Sequence, residues 1–263
     1  MQASALVRLF SILRPKGLAA LLAFALGTTV FLPPWMARRL EATVVREWLT
    51  PLDTGARADW DSLGVTRKGE FLAERAAYKH LAGHVHTGVD YQNRAGRGGP
   101  GEPVYAAARG KVWDVKGQGA GTRVTVVHLL PDGEIVYSSY IHVGGVRVRR
   151  GTRVGPHTVI ARRFKHRELA RYGSIYNHLH FQIHRGRFVP EHTIATRTDE
   201  EARARFYDPQ VFGRRSFTAG PFPWTDWIRE GRISFLSLLP NLPERALRGR
   251  IPFAVGVLFQ EVP

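Results

Sequence analysis

One stretch of the chain alternates polar and apolar residues strictly, and it reads His178-Leu179-His180-Phe181-Gln182-Ile183-His184. This alternation is the period of a half-buried β-strand, in which successive side chains point to opposite faces. The pattern predicts a strand with the three histidines and the glutamine on one face and three apolar side chains on the other. Neutral imidazole is the commonest metal ligand in proteins, so the polar face is a candidate for part of a metal site.

Short runs of β-type residues also fill the segment from about residue 80 to 212, and Gly, Pro and Asp turns separate them. Pro131-Asp132-Gly133 lies between two alternating runs, which indicates a hairpin. Helical patterns are confined to short pieces at 164–172 and 199–206. Regular short strands with such turns predict a mainly β domain of antiparallel sheet with short flanking helices.

Residues 17–37 form an uncharged, mostly apolar run that follows Arg8, Arg14 and Lys16. About 20 apolar residues are enough to cross a bilayer core as a helix. The run is therefore predicted to be a membrane anchor or a signal segment, and the lack of a well-placed cleavage site favours the uncleaved anchor. Arginines on the far side match the near-side charges, so the charge rule does not decide the orientation.

The rest of the chain is divided around the anchor and the β domain. Between them, residues 42–49 and 70–80 have short helical patterns within an otherwise mixed segment, which we interpret as a stalk. After the domain, a tail rich in Trp, Leu and Phe has no clear period. The predicted divisions are a cytoplasmic basic N-terminus at 1–16, a membrane anchor or signal segment at 17–37, a stalk at 38–79, the domain at 80–212 and a C-terminal extension at 213–263.

Composition narrows the chemistry that the candidate site can use. The chain has 263 residues with 44% hydrophobic content, enough for a sizeable core, and it has no cysteine. A disulfide framework and a cysteine-bound zinc are therefore excluded, so any metal must be held by His, Asp or Glu. The net charge of +16 favours an anionic partner, such as nucleic acid, an acidic membrane face or an acidic wall polymer. A generally basic proteome is an alternative explanation.

A second motif, His86-Thr87-Gly88-Val89-Asp90, supplies further candidate ligands. Its glycine permits a tight backbone path that could turn the imidazole and the carboxylate toward one point. Together with a histidine of the alternating strand, they would give three ligands and leave the fourth position of a zinc ion open, as in catalytic sites. The chain contains no His-Glu-x-x-His, so a glutamate base on a zinc-binding helix is absent.

The motifs HTGVD, GEPVYAAARGKV, VTVVHLLPDGEIVYSSYIHV, VRRGTRVGPHTVIAR, NHLHFQIH and YDPQVF occur in this order between residues 84 and 212. Together they resemble the lysostaphin/LytM-type zinc metallopeptidases, a family of bacterial cell-wall endopeptidases. The resemblance implies antiparallel sheets of the duplicated hybrid motif type with one zinc ion in a groove. By resemblance, the zinc ligands are His86, Asp90 and His180, and two further active-site histidines are His142 and His178.

The proton-transfer chemistry then falls to His142 and His178, because imidazole titrates near neutral pH. One would accept a proton from the attacking water, and the other would stabilise the oxyanion or protonate the leaving amine.

Two residues are assigned to substrate binding. Tyr140 lies two residues before His142 and should share its face, and Gln182 lies on the site face where the family commonly has glutamate.

The resemblance implies a zinc-dependent endopeptidase that hydrolyses amide bonds in peptidoglycan stem peptides or cross-bridges. The alternative is a catalytically idle protein that uses the same groove to hold wall peptides or to activate another hydrolase. Nucleic acid is not expected as a partner, since neither an anchor nor a zinc groove would serve it. We expect the chain to be anchored in the inner membrane, with its domain in the periplasm or outside the cell.

Overall fold

The alternating run forms a strand in the middle of an eight-stranded antiparallel sheet, as its pattern predicts. The computed structural model describes residues 44–75, 83–93, 98–186 and 195–217, which all lie within one unit spanning Thr43–Phe222. The fourteen strands of this part are β1 Leu63–Val65, β2 Glu74–Arg75, β3 His84–His86, β4 Val89–Asn93, β5 Pro103–Tyr105, β6 Gly110–Lys116, β7 Arg123–Leu129, β8 Ile135–Ile141, β9 Val143–Gly144, β10 Arg153–Val154, β11 Val159–Arg163, β12 Leu179–Arg185, β13 Ala195–Thr196 and β14 Phe206–Tyr207. Its α-helices are α1 His166–Tyr172, α2 Asp199–Arg205 and α3 Pro209–Gly213, with short 3-10 helices at Trp60–Ser62, Gly119–Gly121 and Ser174–Tyr176.

The strands form three antiparallel sheets. The largest has the order β1-β4-β12-β8-β7-β6-β10, with β14 paired to β12, and the two smaller sheets have the orders β5-β11-β9 and β13-β3-β2. The predicted hairpin is present, since β7 pairs with β8 and the Leu130 N–H donates to the Glu134 carbonyl across the turn. The prediction of a mainly antiparallel β domain with short helices is confirmed for the described residues.

The apolar face of β12 fixes which of its residues reach the functional site. Leu179, Phe181 and Ile183 are fully buried, and burial of such side chains stabilises the fold by about 1.5–3 kcal/mol each. A shift of one residue in the pairing of β12 would place its histidines in the core instead. Burial of the apolar face therefore fixes the register of the strand, and this register carries His180 to the site.

The segment interpreted as a stalk is part of the domain where the structure describes it. Trp48, Leu52, Trp60 and Leu63 are buried in the core, and β1 pairs with β4. The helix predicted at 42–49 is not formed at residues 44–49, and residues 74–75 of the helix predicted at 70–80 form strand β2. The domain therefore begins well before residue 80, because these upstream side chains complete its core.

The predicted membrane segment at 17–37 and most of the C-terminal extension lie outside the described residues. Among the residues that are described, none of the helices is long and apolar enough to span a bilayer. The divisions that involve the two ends of the chain remain predictions.

Candidate metal centre

The site forms where three strands bring their polar side chains together. His86 ends β3, Asp90 lies in β4, and His180 lies in β12. His180 and Asp90 are direct partners in the antiparallel pairing of β12 with β4. The two-residue link between β3 and β4 then returns His86 to the same point. All three side chains are buried, with exposed fractions of 2–3%.

Gly88 allows this link to lie directly against β12. A Cβ atom at this position would lie 2.5 Å from the Phe181 carbonyl oxygen, 2.7 Å from Cγ of Gln182 and 2.9 Å from Nε2 of His180. Its φ angle is not in the left-handed region. The glycine of the His86–Asp90 motif is therefore required for close approach between two backbones rather than for an unusual backbone angle.

One atom from each of the three side chains points into a common space. Nε2 of His86 lies 2.8 Å from Nδ1 of His180 and 3.1 Å from Oδ1 of Asp90, and Nδ1 of His180 lies 2.9 Å from the same oxygen. Tetrahedral zinc with bonds of about 2.0–2.1 Å places its ligand atoms about 3.3 Å apart. The three atoms need to separate by only a few tenths of an ångström to hold such an ion.

The hydrogen bonds around His86 support a cation between these atoms. Nδ1 of His86 lies 2.9 Å from the Glu70 carbonyl oxygen, which can only accept, so Nδ1 carries the proton. In the neutral ring Nε2 then carries a lone pair directed at the Asp90 carboxylate. Two lone pairs at this distance repel each other unless a proton or a cation lies between them, and a metal ion meets this need for all three side chains at once.

Asp90 is held in its ionised form. Burial alone would raise its pKa, but the contacts with the imidazoles of His180 and His86 outweigh burial, and the pKa of the carboxyl lies well below its usual range. Its second oxygen, Oδ2, accepts a hydrogen bond from Nη2 of Arg75 at 2.6 Å. The carboxylate therefore presents Oδ1 to the histidines while Arg75 neutralises part of its charge.

The other two predicted histidines lie beside this cluster. Nε2 of His178 is 3.4 Å from Oδ1 of Asp90. The rings of His142 and His178 have centroids 5.0 Å apart, and those of His142 and His180 are 6.1 Å apart. The structure thus brings together all five residues that the sequence assigned to metal binding and catalysis.

The two flanking histidines differ in what holds them. Nδ1 of His142 donates to the Ala120 carbonyl oxygen at 2.5 Å, which leaves Nε2 of the neutral ring free to accept a proton. Burial lowers the pKa of His178 to about 4, although the Asp90 carboxylate acts in the opposite direction. Burial, with a smaller contribution from His178, also lowers the pKa of His142 to about 4. Both rings are therefore neutral at pH 7.

The predicted position of Tyr140 in the groove is wrong. Tyr140 is fully buried, its hydroxyl accepts from the Ala107 N–H at 2.7 Å, and its ring packs on Phe181. The prediction assumed that the strand alternation continues from Tyr140 to His142. Strand β8 ends at Ile141, and His142 has a φ of 64°, so its side chain leaves the strand pattern.

Gln182 also does not reach a substrate. It is fully buried, and its Nε2 donates to Oγ1 of Thr87 at 2.5 Å. Thr87 lies in the link between His86 and Asp90, so Gln182 ties this link to β12. Its position on the polar face was predicted correctly, but the link covers that face beyond His180.

Sequence reasoning missed two neighbours of the site. Arg75 lies in a segment whose pattern looked helical, so nothing in the sequence placed it next to Asp90. Tyr176, in a 3-10 helix just before His178, has its ring centroid 4.8 Å from that of His142 and is partly exposed. Its proximity to His178 in the sequence was the only signal that could have identified it.

The sequence of the chain matches the model of one known protein family. Residues 84–191 match the sequence model of Peptidase family M23. No curated protein matches the chain. Among the similar solved structures is LytU, which is 22% identical, with a TM-score of 0.37, over 58% of this chain and 90% of that chain. The catalytic domain of lysostaphin from Staphylococcus simulans is 20% identical, with a TM-score of 0.35, over 68% of this chain and 98% of that chain. A zinc containing peptidase from Vibrio cholerae is 19% identical, with a TM-score of 0.40, over 66% of this chain and 41% of that chain. The resemblance seen in the ordered motifs is thus confirmed by a sequence match to peptidase family M23 over residues 84–191.

Proposed function

We propose that the chain is a zinc-dependent endopeptidase that hydrolyses amide bonds in peptidoglycan stem peptides or cross-bridges. The observation that carries the proposal is the convergence of three ligand atoms, mutually 2.8–3.1 Å apart, with two neutral histidines beside them. A domain that only binds wall peptides would not need both the ligand cluster and the adjacent proton-transfer groups.

The ion would be held by Nε2 of His86, Oδ1 of Asp90 and Nδ1 of His180. When bound in a site with three protein ligands, zinc lowers the pKa of water toward 7 and polarises a carbonyl group. The protein contributes by fixing the donor atoms before the ion arrives. The Glu70 carbonyl orients His86, and the register of β12 against β4 sets His180 opposite Asp90.

Proton transfer is assigned to the two flanking histidines. Nε2 of His142 is the free acceptor atom of a ring that the Ala120 carbonyl holds in place, so His142 is suited to take the proton from the attacking water. His178 lies next to Asp90, and its neutral ring is suited to stabilise the oxyanion through an N–H group. The proton that His142 takes from water would then pass to the leaving amine, either directly or through His178. Because burial lowers the pKa of each ring, both start the reaction as neutral bases.

The substrate is proposed to lie along the open side of these rings, next to Tyr176. Tyr176 is partly exposed and its ring lies beside that of His142, so it can contact a peptide whose carbonyl is placed at the metal. Peptidoglycan as the substrate is supported by the family resemblance.

A membrane anchor at 17–37 would hold the domain against the wall outside the cytoplasm, and the apolar sequence of that run supports this location.

The test is hydrolysis of purified peptidoglycan by the full-length chain, with release of new amino groups as the measurement. We expect release that stops when a chelator is added and resumes when zinc is restored. A zinc-loaded chain that binds peptidoglycan without releasing amino groups would contradict the proposal and support the idle binding protein instead. His157→Ala is a matched control, because His157 is exposed and outside the site.

A further inference from the structure

A cavity lies at the end of β12, where that strand meets β14, α2 and α3. Its volume is about 300 Å³. Apolar and aromatic side chains form part of its wall, including Phe206, Tyr207 and Phe212. Three arginines, Arg185, Arg203 and Arg215, also line it, and all three are exposed to solvent.

Two of the three arginines, Arg185 and Arg215, pack on one aromatic ring. The guanidinium carbon of Arg185 lies 3.9 Å from the centroid of the Tyr207 ring, and that of Arg215 lies 4.5 Å from the same centroid. The Tyr207 hydroxyl is in turn fixed by the Glu134 carboxylate at 2.7 Å. Cation–π contacts hold a guanidinium group in position while leaving its N–H donors available. Both guanidinium groups are therefore held against the same ring.

The acid that lines the cavity, Asp208, forms no ion pair with these arginines within the described residues. Asp208 uses Oδ1 to accept the Gln210 N–H at the start of α3. Within the described ranges, no carboxylate lies within ion-pair distance of the three arginines, whereas nearby Arg205 is paired with Glu201 at 3.3 Å. Within the part of the chain that the structure describes, the cavity therefore combines three arginines that have no ion-pair partner with an apolar wall.

We propose that this cavity binds a small organic anion, a carboxylate or a phosphate ester attached to an apolar group. Guanidinium groups match both oxyanions with paired, charge-assisted hydrogen bonds. The aromatic wall would cover the apolar part of the ligand and shield it from water. A bound anion would also relieve the repulsion between Arg185 and Arg215.

This cavity is separate from the metal centre. Arg185 lies five residues after His180 on the same strand, which corresponds to about 16 Å of extended chain. None of the metal-binding or proton-transfer residues lines the cavity. The inference therefore does not depend on the proposed hydrolysis, and its failure would leave that proposal unchanged.

The experiment is calorimetric titration of the full-length chain with three probes: 4-phenylbutyrate, phenyl phosphate and inorganic phosphate. We expect at least one of the two aromatic anions to bind more tightly than inorganic phosphate. The tighter of the two identifies the oxyanion as carboxylate or phosphate ester. Arg185→Gln and Arg215→Gln should each weaken that binding about tenfold, since hydrogen bonds to charged groups are the strong ones.

Arg167→Gln is the matched control, because Arg167 is an exposed arginine of α1 that does not line the cavity. It should leave the affinity unchanged. The proposal is overturned if neither aromatic anion binds at 10 mM, about the weakest binding such a titration detects. It is also overturned if inorganic phosphate binds as tightly as the aromatic probes, or if the control variant loses as much affinity as the two cavity variants.

Discussion

Arg75 and Asp90 form an ion pair in which Nη2 of the arginine lies 2.6 Å from Oδ2 of the carboxylate. The other carboxylate oxygen faces the two histidines of the candidate metal centre. The Asp90 carboxylate thus presents one oxygen to the candidate metal centre and pairs the other with the positive charge of Arg75. The pair also connects the site to strand β2, because Arg75 ends that strand.

Replacing Arg75 should weaken zinc binding. In Arg75→Ala the carboxylate of Asp90 loses the partner that orients it, and loss of such a partner lowers metal affinity about tenfold or more. The measurement is competition for zinc against a chelating indicator. Arg67→Ala, at an exposed position in the same segment, is the control and should bind zinc like the native chain. An unchanged affinity in Arg75→Ala would show that the ion pair does not support the site.

Gly88→Ala should destabilise the domain and disturb the metal centre. The added Cβ would clash with the Phe181 carbonyl at 2.5 Å, and backbone cannot move aside cheaply. Overpacking of this kind costs about 1–3 kcal/mol, measured as the free energy of unfolding in urea. Gly155→Ala is a matched control, because a Cβ there has no neighbour within 4 Å. Equal stability of the two variants would contradict the close approach of the link to β12.

The metal-free chain should lose stability as the pH falls from about 6.5 to about 4. Burial lowers the pKa of His128, His142, His178 and His180 to about 4 in the folded state, so the unfolded chain binds more protons in this window. Stability therefore rises with pH through the window, by a few kcal/mol in total. The ionised Asp90 adds a further loss below about pH 4, because its folded pKa is depressed.

The measurement for this prediction is the urea midpoint of the metal-free chain at pH 7, 6, 5 and 4. His157→Asn should leave the curve unchanged, since His157 is exposed. A midpoint that is constant between pH 7 and pH 5 would show that the histidines are not held neutral by burial.

Arg163 is expected to set the position of His178. Nη2 of Arg163 donates to the carbonyl and side-chain oxygens of Asn177, the residue before His178, while Nη1 binds Glu102. Arg163→Lys should retain zinc and KM but lower kcat about tenfold or more, because a small displacement of a catalytic group is costly. Arg167→Lys is the control, since Arg167 is an exposed arginine of α1. A native kcat in Arg163→Lys would contradict this role.

The sequence predicted the antiparallel β domain and the two main helices because their periods are local. The ordered motifs also proposed His86, Asp90 and His180 as ligands, and the structure places these three side chains together. Sequence reasoning failed at Tyr140 because a single positive φ at His142 ends the alternation, and no local pattern signals this angle. Arg75 was missed for a different reason, since its contact with Asp90 depends on the pairing of β2 with β3.

The start of the domain before residue 80 was missed for a similar reason. Residues 44–65 were interpreted as a stalk because their pattern is irregular, yet Trp48 and Trp60 are buried. Trp48 packs edge-on against His128 with centroids 4.8 Å apart, and Trp60 packs near Phe181. Contacts between residues this far apart in the chain fill the core without leaving a period in the sequence.

The central claim is that His180 holds a zinc ion while His178 moves protons, and zinc analysis of two variants tests it most directly. Purified His180→Ala, His178→Ala and native chains would be dialysed against trace zinc, and metal per chain and amino-group release from peptidoglycan would be measured on the same samples. We predict about one zinc in the native chain and in His178→Ala, little in His180→Ala, and turnover in the native chain alone. Equal zinc content in the two variants would contradict this division of roles.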